Sequence, residues 1–96
     1  MRHLVKIRIP TEIGNRGVKE GIIPRLVGQT MENFKPEAAY FATENGERTA
    51  YFFVDLSDSS QMPVLAEPWF MELNARIDMQ PVMNGEDLQR GLMALK

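Results

Sequence analysis

The sequence predicts an α+β domain in the order β-α-β-β-α-β, followed by one more helix. Three observations carry that expectation. Asn45-Gly46 lies between two runs rich in aromatic, alanine and β-branched residues, the strongest short-range sign of a two-residue hairpin. Toward each end of the chain a stretch alternates with a period of two: Val5, Ile7 and Ile9 against Lys6 and Arg8, then Ile77 and Met79 against Arg76, Asp78 and Gln80. Between each of these strands and the hairpin the apolar residues fall at helical spacing.

Taken in order, His3 to Ile9 is a half-buried strand stopped by Pro10, which cannot donate to a ladder. Thr11 to Gly14 reads as a loop, and Asn15 as the N-cap of a helix running to Phe34. Ile22, Ile23, Leu26, Val27, Met31 and Phe34 make its apolar stripe, with Val18 at the margin and Gly17, Gly21 and Gly28 on the polar side. Pro24 inside this run would cost about 3 kcal/mol in an isolated helix. The expectation is a kink near Gly21, or two helical pieces with Pro24 in the first turn of the second.

Lys35-Pro36 ends the helix, and Glu37 to Leu56 forms the hairpin. With Asn45-Gly46 as the turn, Tyr40 lies opposite Tyr51, Ala38 opposite Phe53 and Ala42 opposite Thr49. Glu44 then faces Glu47, a like-charge pair expected only at a solvent-exposed tip. Ser57 to Ser60 starts a second helix, with Asp58 and Gln61 at capping-box spacing. Leu65, Ala66, Trp69, Phe70 and Leu73 form its apolar face. Pro63 suits the first turn, Pro68 is expected to bend the helix, and Asn74 closes it. Arg76 to Val82 is the last strand. Asn84 caps a terminal helix with Glu86 and Asp87 in its first turn and Leu88, Leu92 and Leu95 on its apolar face. The methionines Met62, Met71, Met79, Met83 and Met93 read as gap-fillers of the core. The whole is the split βαβ, ferredoxin-like pattern, read as one domain over residues 1–96.

Composition narrows the function classes. The chain has 11 basic and 13 acidic residues, a net charge of −2, and no cysteine. That balance argues against a phosphate-backbone binder. The lack of cysteine excludes disulfides, thiolate nucleophiles and cysteine-based zinc sites, and it fits a cytoplasmic protein. Charges interrupt the N-terminal stretch, so neither a signal peptide nor a membrane span is expected.

Each strand has one apolar and one mixed face. Val5, Ile7, Phe41, Phe52, Val54, Ile77 and Met79 are expected beneath the helices. The mixed set is Lys6, Arg8, Tyr40, Tyr51, Phe53, Asp55, Arg76, Asp78 and Gln80. Two long helices cannot cover both faces, so the mixed face meets water or another copy of the chain.

The element order, the stretch Lys35-Pro36-Glu37-Ala38-Ala39-Tyr40-Phe41, the helix Ala66-Glu67-Pro68-Trp69-Phe70, and Pro81-Val82-Met83-Asn84 with Asp87-Leu88 carry a resemblance. Over almost its whole length the chain resembles small uncharacterised bacterial proteins of the dimeric α+β barrel superfamily. The resemblance implies a homodimer in which two four-stranded sheets pack face to face around a cavity. Members of that superfamily include cofactor-free monooxygenases, lactone isomerases, haem enzymes and ligand-sensing domains, so it does not specify a chemistry.

Within such a cavity Tyr40 and Tyr51, with Lys6 and Phe53 beside them, would hold an aromatic or carbonyl-bearing ligand. Arg8 or Arg76 would pair with its carboxylate, and Asp55 or Asp78 would act as a base. The plainer reading makes the same residues an interface whose arginines and aspartates pair with one another. His3, the one histidine, would be a general base or a haem ligand only by analogy with the superfamily, and reads more simply as structural. Nothing calls for a cofactor or metal.

The expectation is therefore a cytoplasmic homodimer that binds a small molecule as a non-catalytic carrier, sensor or accessory. The alternative is a cofactor-independent monooxygenase, isomerase or decarboxylase acting on a phenolic or carboxylate-bearing substrate. An RNA-binding module is a distant third: Arg48-Thr49-Ala50-Tyr51-Phe52-Phe53-Val54 has aromatics for stacking, but the glycines of that pattern and an aromatic partner on the first strand are missing.

Overall fold

The computed structural model describes residues 1–95. Its elements are β1 (Arg2–Ile9), α1 (Thr11–Lys19), α2 (Ile22–Phe34), β2 (Ala38–Glu44), β3 (Glu47–Asp55), α3 (Gln61–Leu73), β4 (Arg76–Pro81) and α4 (Gly85–Met93). The strands form one four-stranded sheet in the order β2-β3-β1-β4, with every neighbouring pair antiparallel. This is the α+β ferredoxin-like arrangement expected from the sequence.

The hairpin register is as expected: Tyr40 pairs with Tyr51, Ala38 with Phe53, Ala42 with Thr49 and Glu44 with Glu47. Asn45 and Gly46 both take positive φ, 52° and 78°, as a tight turn between twisted strands demands. Because side chains alternate along a strand, this register and that of β1 with β3 place Val5, Ile7, Ile9, Ala50, Phe52 and Val54 on one face. All of them are buried, packed against Leu26 of α2 and Leu65, Trp69 and Leu73 of α3. Among the methionines, Met62 and Met79 pack on this core, whereas Met71, Met83 and Met93 are exposed and fill nothing.

The first helical region differs from expectation at its start. Helix α1 begins at Thr11, without a loop to Gly14 and without Asn15 as cap, because the Pro10 carbonyl already accepts from Gly14 N at 2.8 Å. Pro10 ends the strand and opens the helix in one step, since its fixed φ suits both. At Gly21, φ of 73° breaks the region into two pieces, and Pro24 falls in the first turn of α2. Gly17 is not on a polar side: it is buried where α1 crosses α2 and α3, and a Cβ there would lie 2.9 Å from side-chain atoms of both Ile23 and Leu73.

Helix α3 runs through Pro68 without ending and closes at Asn74 in the left-handed region. Only half of its expected capping box forms, Gln61 Oε1 accepting from Asp58 N at 3.3 Å. Helix α4 has the full box, Asn84 and Asp87 each accepting from the other's backbone N–H. No residue of α4 is buried, so Leu88 and Leu92 lie exposed, and Leu95, expected on the same helix, falls beyond its end and is exposed as well. The radius of gyration is 15.1 Å, against about 12.5 Å for a compact chain of this length.

The two sheet edges differ. β4 carries Arg76, Asp78 and Pro81, whereas the middle of β2, Tyr40-Phe41-Ala42-Thr43, has neither charge nor proline. Phe41 is on the helix side as expected and meets Phe52 edge-on, but the helices stop short of β2 and leave it exposed.

Candidate functional site

The face of the sheet opposite α2 and α3 carries Lys6, Arg8, Tyr40, Tyr51, Phe53, Asp55, Arg76 and Asp78. Antiparallel register sets Lys6 between Tyr51 and Asp78, and Arg8 between Thr49 and Arg76. Tyr40 follows next to Tyr51, while Leu4 and Phe53 pair further along.

Two carboxylates from the hairpin organise the centre of this face. Glu44 accepts from Lys6 Nζ at 2.9 Å through one oxygen and from the Tyr51 hydroxyl at 2.8 Å through the other. Arg8 approaches Glu47 at 3.1 Å and Glu44 at 3.9 Å, and Arg76 approaches Glu47 at 3.8 Å. The Glu44–Glu47 pair is therefore not a solvent-exposed tip. The two side chains are 31% and 19% exposed, because cations from β1 and β4 reach across the sheet to neutralise them. Arg8 Nε is enclosed with no hydrogen bond, as its approach to Glu47 is not along the N–H direction.

The electrostatics follow from these contacts. Lys6, bonded to Glu44, is raised above the usual lysine value. Lys6 and then Tyr51 hold Glu44 below the usual carboxylate range. Tyr51, donating to Glu44, is pushed up in turn. All three shifts favour keeping Lys6 and Glu44 charged and the Tyr51 hydroxyl neutral.

The candidates therefore separate into groups. Lys6, Arg8, Tyr51 and Arg76 are brought together around Glu44 and Glu47. Tyr40 is 64% exposed, and its hydroxyl has no partner among the described residues. Asp78 is exposed beside Lys6, with no ion pair among those residues, and Phe53 lies in the other half of the face. Asp55 belongs elsewhere: at the far end of the sheet the Met1 amine holds it at 2.6 Å and keeps it below its ordinary value. His3 lies on the other face, its Nδ1 2.9 Å from the Met1 carbonyl oxygen. Glu44 and Glu47 are the members that strand patterning alone does not mark as site residues. Their signal was the hairpin register combined with the cations of β1.

Two hollows lie near this face. One of about 340 Å³ is lined by Leu4, Lys6, Asp78, Met79 and Gln80. A larger one, about 770 Å³, opens at the end of the sheet between Arg2, Lys35 and the Pro81-Val82-Met83 segment leading to α4. Among the described residues, no group of three or more histidine, aspartate or glutamate side chains is placed to hold a metal ion. No helix among them is long and apolar enough to cross a membrane.

Fold and site together define an α+β ferredoxin-like chain with one sheet face left open. No protein-family model matches the chain, and a search of curated proteins found no significant match.

Proposed function

We propose that a second copy of the chain covers the open sheet face, giving a homodimer of the dimeric α+β barrel type, and that the enclosed space binds a small molecule. The protein then acts as a carrier, sensor or accessory. The observation that carries this reading is the pairing of Lys6, Arg8, Tyr51 and Arg76 with Glu44 and Glu47 within the plane of the face. Charges left unpaired under a second sheet would cost several kcal/mol each. For Lys6, Arg8, Arg76, Glu44 and Glu47 the partners are already supplied, and Leu4, Phe53 and the tyrosines provide apolar area between them.

Size supports the same reading. Strand spacing and rise give four strands of about seven residues a footprint of roughly 450 Å² per copy. Two such faces come close to the ~1,000 Å² expected of a biological interface, and the bare leucine face of α4 is available to add to it.

Binding is favoured over catalysis by the charge states. A general base works best with its pKa near the operating pH. Lys6 instead holds Glu44, and the Met1 amine holds Asp55, below the usual carboxylate range, which leaves Asp78 as the expected base without an ion pair among the described residues.

Sedimentation equilibrium tests the dimer: the protein should sediment as a dimer and Phe53→Asp as a monomer. Native mass spectrometry tests the ligand. A small molecule should be retained through purification, and Tyr51→Phe or Arg8→Ala should release it while the dimer persists. A stable monomer at high concentration sinks the first claim. A dimer that retains nothing in any of these forms sinks the second.

A further inference from the structure

We propose that the hollow at the end of the sheet is a second ligand site, argued from observations other than those that carry the sheet-face reading, and that it takes a small carboxylate with an apolar tail paired to Lys35. At about 770 Å³ it falls within the ~300–1,000 Å³ of small-molecule sites. Met1, Pro81, Val82 and Met83 supply apolar wall.

Its charges are unequally engaged. The Met1 amine is held by Asp55 and by the Leu56 carbonyl. Arg2 is shared between Glu37 and Asp87. Every acidic group lining the hollow is thus taken, whereas Lys35 makes no ion pair among the described residues. One cation at the rim is left to pair with one anion.

The backbone adds an independent argument. Lys35 caps α2 with φ of 45° and ψ of 61°, in the left-handed region that glycine and asparagine adopt most readily. It also precedes Pro36, which disfavours right-handed helical geometry at Lys35 and so ends α2 there. The equivalent cap of α3 is Asn74, with φ of 50°. The helix dipole offsets part of the cost at Lys35, but the cap geometry itself does not call for lysine. A side chain kept in a strained position points to a use for that side chain.

Amide chemical-shift titration with octanoate, octanol and acetate tests the site. Millimolar octanoate should shift Lys35, Val82 and Met83 saturably, with octanol and acetate weaker. Lys35→Gly should weaken octanoate by about fivefold, as loss of an exposed ion pair does, while raising the thermal unfolding midpoint. Lys35→Arg should retain binding. The proposal is overturned by shifts confined to other regions or by no saturable shift. It is equally overturned if octanol binds as well as octanoate, or if Lys35→Gly binds unchanged. A Lys35→Gly variant that unfolds at lower temperature would contradict the strain argument.

Discussion

Trp69 Nε1 donates to the Thr30 hydroxyl oxygen at 3.2 Å, and that hydroxyl donates onward to the Leu26 carbonyl at 2.8 Å. This chain of hydrogen bonds ties α3 to α2 inside the core. It lets the largest side chain of the protein be buried without an orphaned N–H. Thr30→Val keeps the shape and removes the acceptor, so it should cost about 1–3 kcal/mol, the penalty of a buried unpaired donor. Thr30→Ser, which keeps the oxygen, should cost less. Urea unfolding followed by Trp69 fluorescence measures both.

Two helical glycines should respond in opposite directions. Gly28 has open space where a Cβ would stand, so Gly28→Ala should stabilise by about 0.5–1 kcal/mol through helix propensity and a restricted unfolded chain. Gly17→Ala drives a methyl against Ile23 and Leu73, and overpacking of about 1–3 kcal/mol should outweigh the same propensity gain. Thermal midpoints of the two variants check the contrast.

Glu44 and Lys6 set the pH response of the open face. Glu44 is depressed, so its contribution is present above the unfolded-state value and is lost as pH falls through the folded one. Lys6 is raised, so its contribution is complete below the unfolded-state value and is lost as pH rises through the folded one. The pair is intact across the neutral range. Urea midpoints measured against pH should therefore fall less steeply on the acid side in Glu44→Gln than in the unaltered protein. The fall that remains belongs to Asp55, Asp58 and Asp87, which are also depressed.

Helix α4 stands on its cap and on the Arg2–Asp87 ion pair, with nothing buried beneath it. Asn84→Ala removes a cap worth about 1 kcal/mol. Amide exchange in α4 should accelerate while the global unfolding midpoint of the monomer stays in place. A matching drop in that midpoint would mean that α4 belongs to the cooperative core.

The hairpin was legible in the sequence because Asn45-Gly46 admits almost one turn type, and that turn dictates the register of seven residues on each side through local pairing alone. The break near Gly21 was legible for a similar reason, glycine and proline being the residues that punctuate a helix. The start of α1 was not, because Pro10 signals the end of a strand and the start of a helix equally well. Burial of Gly17 depends on how close Ile23 and Leu73 come, a tertiary distance that no periodicity contains. Glu44 and Glu47 looked like a repulsive pair because their neutralising cations sit on strands far away in sequence. Of the candidate residues, Lys6, Arg8, Tyr51 and Arg76 converge, whereas Phe53 lies in the other half of the face and Asp55 shares the side but lies at its far end, beside the Met1 amine, a separation along the strands that face alone does not reveal.

The outer side of β2 leaves a row of amide and carbonyl groups without a covering strand, lysine or proline, beside an exposed Phe41. In crowded or partly unfolded samples, that border is where one molecule's ladder extends into the next. Fibres would nucleate there rather than along β4, whose Arg76, Asp78 and Pro81 act as gatekeepers.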